Sequence, residues 1–135
     1  DHFISVVEDI ASRRLANEAF HTLADTIPEL CWIADPEGYI VWYNHRWFEY
    51  TGKTLDEMWG QKWAPVLEAH TQREVIERWM KSIETGEPFE MIIRIRDRDG
   101  VFHPFLTRAA PLRDDGGRVV RWFGTNTDIR WRPAR

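Results

Sequence analysis

The chain has 135 residues, room for one compact domain and too few for two of ordinary size. Hydrophobic residues make up 43% of it and charged residues 30%, which excludes a disordered or low-complexity chain, and its apolar stretches fall far short of the roughly 20 residues that a membrane-spanning helix needs. Eighteen basic against 22 acidic side chains give a net charge of −4, so phosphate backbones meet no general attraction and nucleic acid is not an expected partner.

In chain order, Asp1-His2-Phe3-Ile4-Ser5 carries neither an initiator Met nor a basic-then-apolar leader, and the chain reads as a piece of a longer protein. Residues 3–27 have helical periodicity in two apolar stripes: Phe3, Val6, Val7 and Ile10, then Ala16, Ala19, Phe20, Leu23 and Ile27. Residues 1–27 are therefore assigned to a flanking helix that ends at Pro28, and residues 28–130 to the domain proper. Leu30-Cys31-Trp32-Ile33-Ala34 and Tyr39-Ile40-Val41-Trp42-Tyr43 read as a hairpin around Asp35-Pro36-Glu37-Gly38. Cys31 is the single cysteine, which leaves no internal disulfide and fits a reducing compartment; the cytoplasm is the expected location, without direct membrane contact. Asn44 stands as the N-cap of a helix from His45 to Thr51 that stops at Gly52. Thr54 with Glu57, and Thr71 with Glu74, have capping-box spacing and mark two further helix starts. The last helix is the longest, with Val75, Ile76, Trp79, Met80 and Ile83 assigned to one apolar face and Gly86 beyond its end.

From Pro88 the period becomes two, Phe89, Met91, Ile93 and Ile95 alternating with Glu90, Ile92, Arg94 and Arg96. Asp97-Arg98-Asp99-Gly100 and Asp114-Asp115-Gly116-Gly117 then turn the chain into strands over Val101–Leu112 and Arg118–Ile129. Pro104 removes a ladder donor inside the fourth strand, so a bulge or a late strand start is predicted there. Residues 131–135 read as the start of a linker, with Pro133 opposing an unbroken helix out of the last strand. Two strands, a group of short helices and a three-stranded meander make an α+β domain with an antiparallel sheet and its helices on one face.

Several of these segments, in this order, resemble the PAS sensory-box family of bacterial histidine kinases and cyclic-dinucleotide enzymes. They are Leu30 through Gly38, Tyr43-Asn44 leading to Phe48-Glu49-Tyr50-Thr51-Gly52, Gly86-Glu87-Pro88-Phe89-Glu90, and Arg113-Asp114 through Gly117 to Trp122-Phe123-Gly124-Thr125-Asn126-Thr127-Asp128-Ile129. The resemblance covers nearly the whole chain. It implies the PAS fold: a curved five-stranded antiparallel sheet in order 2-1-5-4-3, short helices over its concave face, and often a metabolite or cofactor cavity between them. It also implies a sensory or dimerisation module, not an enzyme, that passes a ligand- or partner-dependent shift to an effector attached after the last strand. Two departures stand out. Glu68-Ala69-His70-Thr71 replaces the usual His-Pro-Asp-Asp before the long helix, and Arg130 replaces the threonine common after Asp128-Ile129.

No catalytic motif is present: the chain has no Gly-x-Ser-x-Gly, no phosphate-cradling glycine loop and no His-Glu-x-x-His. Asp114 and Asp115 belong with their glycines to a solvated turn. His2, His21 and His45 lack neighbours at metal-ligand spacing, so no metal is expected. By resemblance to light-sensing relatives, Trp63 in Gly60-Gln61-Lys62-Trp63 takes the place of the photoactive cysteine, Asn126 that of an inward glutamine, and Ile95 and Phe105 those of two inward asparagines. Flavin would meet hydrocarbon where its ring edge needs partners and is not expected. Haem is not expected either: His70, the only counterpart of the family's axial ligand, precedes the inward stripe of its helix. His103 shares phase with Phe105 and Thr107 and is read as a structural, hydrogen-bonding histidine.

Strand phase places Ile95, Phe105, Thr107, Trp122 and Asn126 around any small-molecule cavity, with Met91, Ile93, Ala109 and Gly124 beside them. Only Thr107 and Asn126 of these are polar, which fits a ligand pocket and a filled core alike. Trp32, Trp42, Trp47, Trp59, Trp63, Trp79 and Trp122 fill volume and favour the filled core, so a purely structural, protein-binding PAS domain is the alternative reading. On the opposite face Ile92 and Phe123 call for a cover that Phe20 and Leu23 could supply. The stripe Phe3, Val7 and Ile10 would then pair with a second copy as a homodimer.

Overall fold

Residues 18, 22–58 and 63–130 are described by the structure, a computed structural model. They form β1 (Leu30–Ala34), β2 (Ile40–Tyr43), α1 (His45–Thr51), α2 (Leu55–Met58), a 3-10 turn over Ala64–Val66, α3 (Ala69–Thr85), β3 (Phe89–Arg96), β4 (Phe102–Arg113) and β5 (Val119–Asp128). One antiparallel sheet runs β2-β1-β5-β4-β3, the order the resemblance implies. Hairpins join β1 to β2 and β3 to β4 to β5. The long-range step is the pairing of β1 with β5, which sets Trp32 opposite Gly124.

All three hairpins are built on one plan. Asp35, Asp97 and Asp114 each use Oδ1 to accept backbone N–H bonds from residues two and four positions on. Gly38, Gly100 and Gly117 then close each turn at positive φ. Gly38 has a second role, since a Cβ there would lie 3.0 Å from Ile83 and 3.1 Å from Trp79. This close approach lets Trp79 Nε1 donate to the Gly38 carbonyl at 3.0 Å, pinning the first hairpin to α3.

Helix starts follow the sequence signals in part. Thr54 and Glu57 make the reciprocal capping box, Glu57 N to Thr54 Oγ1 at 3.3 Å and Thr54 N to Glu57 Oε1 at 3.1 Å. Thr71 and Glu74 do not. α3 starts at Ala69 with Glu68 as N-cap, and both the amide and the hydroxyl of Thr71 bond back to the Glu68 carbonyl, so Thr71 already lies within the first turn. Asn44 occupies the N-cap position of α1 but makes no side-chain cap bond. Asp25 supplies it instead, its Oδ1 accepting from His45 N at 2.9 Å.

Two further expectations are corrected. β4 runs through Pro104 in register with Arg94, with neither a bulge nor a late start. The Pro104 carbonyl accepts from Ile129 N, so its ring nitrogen faces the β5 side, at a point beyond the Phe105–Asp128 pair where that ladder has ended. No donor is needed there. The buried face of α3 is Val75, Trp79 and Ser82 with half-buried Ile83, while Ile76 and Met80 are exposed. Spacings of four and three from Val75 hold contact with the sheet, and positions one residue later rotate away from it.

Residues 22–26 are helical and end the flanking segment. Leu23 is 65% exposed and so is not the cover proposed for the sheet. Phe3, Val7, Ile10, Phe20, Trp59 and residues 131–135 lie outside the described residues. No described helix is long and apolar enough to cross a membrane. The core fills the space between the concave sheet face and the helices, centred on Trp79, whose ring meets Trp32, Phe89 and Trp122 edge-on with centroids 5.2–5.7 Å apart.

Candidate functional site

Between the concave face and the helices lies a cavity of about 50 Å³. β1 and β2 contribute Trp32, Ile40 and Tyr43 to its wall. α1 contributes Trp47, the segment before α3 Trp63, Val66 and Leu67, α3 itself Val75 and Trp79, and the meander Phe89, Ile93, Ile95, Thr107 and Asn126. Of the five residues placed at the cavity by strand phase, Ile95, Thr107 and Asn126 line it. Phe105 and Trp122 are buried but stand behind the wall, Phe105 edge-on to Tyr50 and Trp122 edge-on to Trp79. Ala109 and Gly124 are buried in the sheet floor, and Met91 is half-buried beside the core.

The indole and phenol walls are what alternation misses. Trp32, Tyr43, Trp47 and Trp63 come from β1, β2 and helical segments, which no period-two pattern relates to the meander. Their sequence signals are aromatic bulk and, for Trp63 alone, its place by resemblance at the photoactive cysteine of light-sensing relatives.

A buried polar chain crosses the wall. Trp32 Nε1 donates to Asn126 Oδ1 at 2.9 Å, and Asn126 Nδ2 donates to Thr107 Oγ1 at 2.7 Å. An indole can only donate, so it fixes the amide orientation, and the amide in turn makes Thr107 an acceptor. This chain ties β1, β5 and β4 together at the cavity. Tyr43 donates its hydroxyl to the Met58 carbonyl at 2.9 Å, and burial pushes its pKa far above the usual phenol value. Trp47 Nε1 and Trp63 Nε1 are buried with no partner among the described residues, as is Trp122 Nε1 behind the wall. Among the described residues no charged side chain and no histidine lines the cavity.

A cavity of about 50 Å³ does not fit a three-ring flavin or a haem, since ligand pockets of that class run to roughly 300–1,000 Å³. His70 is exposed in the first turn of α3 and does not reach the cavity. Among the described residues no group of three or more His, Cys, Asp or Glu is arranged to hold a metal ion.

His103 belongs to a second polar cluster, at the end of β5. Its Nε2 lies 2.7 Å from Asp97 Oδ2, and Arg130 approaches its Nδ1 at 2.8 Å while bonding Asp128 at 2.6 Å. The backbone N–H of Val101, then His103, hold the Asp97 carboxyl below its usual pKa, and Arg130 does the same for Asp128. Cys31, fully buried in β1, is pushed up to about 11 by burial and then by the Glu29 and Asp25 carboxylates; this thiol is not activated for chemistry.

The family model described as the PAS fold matches residues 24–132. The chain belongs to the PAS family. A PAS domain is a regulatory module, and relatives of this one include histidine kinases. The chain is 32% identical over 133 residues to the uncharacterized protein y4lL of Sinorhizobium fredii, covering 93% of this chain and 16% of that protein. It is 32% identical over 108 residues to the peroxide stress-activated histidine kinase mak1 of Schizosaccharomyces pombe, covering 79% of this chain and 6% of the kinase. The chain thus spans a small part of the curated relatives it matches. Among solved structures, the PAS domain of a Colwellia psychrerythraea protein superposes with a TM-score of 0.68 at 19% identity, covering 87% of this chain and 98% of that one.

Proposed function

We propose that this PAS domain is the cytoplasmic sensory input of a larger signalling protein, a histidine kinase, and that an occupant of the cavity between sheet and helices is its signal. The observation that carries this reading is the chain Trp32–Asn126–Thr107. It joins cavity wall to β5, the strand that leads to residues 131–135 and, in this reading, to the effector beyond them. An occupant that pairs with this chain in one arrangement of the sheet and not in another shifts the population between the two by its differential affinity. The similarity to segments of two histidine kinases, of which this chain covers 6% and 14%, supports a kinase as the parent. Residues 1–27 complete the module as a flanking helix whose stripe Phe3, Val7 and Ile10 pairs two copies.

The size of the cavity favours a second reading, a structural PAS domain whose closed core senses nothing and serves only protein contacts. One experiment separates the two. Native mass spectrometry of the freshly purified full chain is expected to show a dimer carrying added mass beyond its polypeptide. A dimer of bare polypeptide mass, with melting unaffected by a metabolite library, would leave only the structural reading. A monomer would remove the pairing role of the flanking helix.

A further inference from the structure

We propose that the cavity between sheet and helices takes a small apolar guest, a hydrocarbon of about four carbons, held by contact alone. This rests on the reading of the cavity as a ligand site and adds the chemical class of its occupant: the guest meets the chain Trp32–Asn126–Thr107 by packing and leaves its two hydrogen bonds in place.

The surface of the cavity carries the argument. It is almost wholly apolar, although polar side chains and several indoles belong to the wall. Their polar atoms are turned largely to one another or to the backbone: Trp32 Nε1 to Asn126 Oδ1, Asn126 Nδ2 to Thr107 Oγ1, the Tyr43 hydroxyl to the Met58 carbonyl, and Trp79 Nε1 to the Gly38 carbonyl. What they present to the interior is carbon. A buried water needs two to four polar partners, and a cavity that offers carbon instead stays dry and takes apolar guests. Apolar wall atoms gain from such a guest the dispersion contacts that they lack without it.

Charge and polarity exclude the other classes. Among the described residues no charged side chain lines the cavity, so a carboxylate, phosphate or ammonium group would give up its hydration without gaining a counter-charge. A carbonyl or hydroxyl compound would likewise lose its bonds to water against a carbon surface. Size sets the upper bound. A dry cavity of about 150 Å³ accepts benzene, and this one, at about 50 Å³, has room for roughly four carbons at about 10–15 Å³ for each water-sized group. Ile40, Val66, Val75, Ile93 and Ile95 supply aliphatic side chains to the wall from β2, the 3-10 turn, α3 and β3. A guest that touches all four segments couples its occupancy to the way the helices sit on the sheet.

Three planar isosteres of four heavy atoms test this on the full chain: isobutene, apolar; acetone, with a carbonyl; and acetate, charged. The readout is the set of Ile93 and Ile95 methyl resonances in carbon-13 NMR. Isobutene is expected to move them in a saturable titration, at least tenfold tighter than acetone, with no shift from acetate. Val66→Ile and Val75→Ile each add a methylene to the wall and are each expected to weaken isobutene about tenfold by filling its space. If a variant does not fold, the isostere series on the unaltered chain decides alone. Isobutene held by both variants as tightly as by wild type would place the guest elsewhere and overturn the proposal. Acetone or acetate binding as tightly as isobutene would overturn the apolar class while leaving a ligand site in place. Methyl resonances that none of the three probes moves would overturn the class and the sensing reading together.

Discussion

Asn44 shows how one side chain can be diverted from the role its position advertises. It sits at the N-cap of α1, yet its Oδ1 accepts from Cys31 N at 3.0 Å while its Nδ2 donates to the carbonyls of Ala24 at 3.0 Å and Glu29 at 2.8 Å. It is fully buried, and its bonds to Cys31 and Ala24 are buried with it, so those groups have no water as a substitute. The three bonds join the end of the helical segment at residues 22–26 to the start of β1, and Asp25, held nearby, takes over the cap of α1. Asn44→Ala strands the Cys31 N–H and the Ala24 carbonyl, while the part-buried Glu29 carbonyl keeps the Cys31 thiol, and at about 1 kcal/mol or more for each stranded group the domain is expected to lose about 2 kcal/mol. Urea unfolding checks this. Asn44→Asp is expected to be no better, because a carboxylate accepts from Cys31 but faces the two carbonyls with no proton to give. If either variant unfolds at the wild-type urea midpoint, the three bonds do not hold the flanking segment to the sheet.

Between elements, the β1–β5 pairing depends on a residue that is not there to pack. A Cβ at Gly124 would overlap the six-membered ring of Trp32, the residue opposite it in the register. The ring cannot swing aside freely, since its Nε1 is bonded to Asn126 and its edge meets Trp79. Gly124→Ala is expected to cost about 1–3 kcal/mol by overpacking and to shift the Trp32 indole resonance as the bond to Asn126 breaks. Wild-type stability with an unmoved resonance would show that the sheet yields there at no cost. Much of this scale was legible in the sequence, because turns and strand phases are local: the Asp-x-x-Gly pattern fixed three hairpins, and alternation put Ile93, Ile95, Thr107 and Asn126 on the inner face. The start of α3 was not legible, since Thr71 and Glu74 have the right spacing for a cap and only the carbonyl of Glu68 reveals that Thr71 is already helical. The absence of a bulge at Pro104 was hidden for another reason, as it depends on where the neighbouring strand stops. The cavity was half legible: the strand phase gave its floor, while Trp47 and Trp63 reach its wall only through the packing of helical segments against that floor.

Across the whole molecule, the last residues of β5 are tied back to the β3–β4 turn by a relay of polar and charged side chains. Arginine has no lone pair to offer, so its approach to His103 Nδ1 requires that nitrogen to accept, which puts the ring proton on Nε2 facing Asp97 Oδ2. Asp97 also holds its own turn through the N–H groups of Asp99 and Val101. Arg130, on the far side, grips Asp128, and the path runs Asp97, His103, Arg130, Asp128 from turn to chain exit. Both carboxyls have folded-state pKa values below their unfolded ones, Asp97 through Val101 N–H and then His103, Asp128 through Arg130. The sign follows: the stability they contribute is present above the ordinary carboxylate pKa of about 3.9 and is lost as pH falls through the lower folded values. Asp97→Asn and Asp128→Asn are each expected to melt below wild type at about pH 7, with the gap closing as pH falls from about 4 toward 2, where wild type loses the same contribution by protonation. Thermal melts across that range measure the gap. The same variants are expected to speed amide exchange at Ile129, whose N–H bonds the Pro104 carbonyl at the point where the chain leaves the sheet. A gap that stays constant down to about pH 2 would mean that the two carboxylates act through packing, and an unchanged Ile129 amide would mean that the relay stops short of the chain exit.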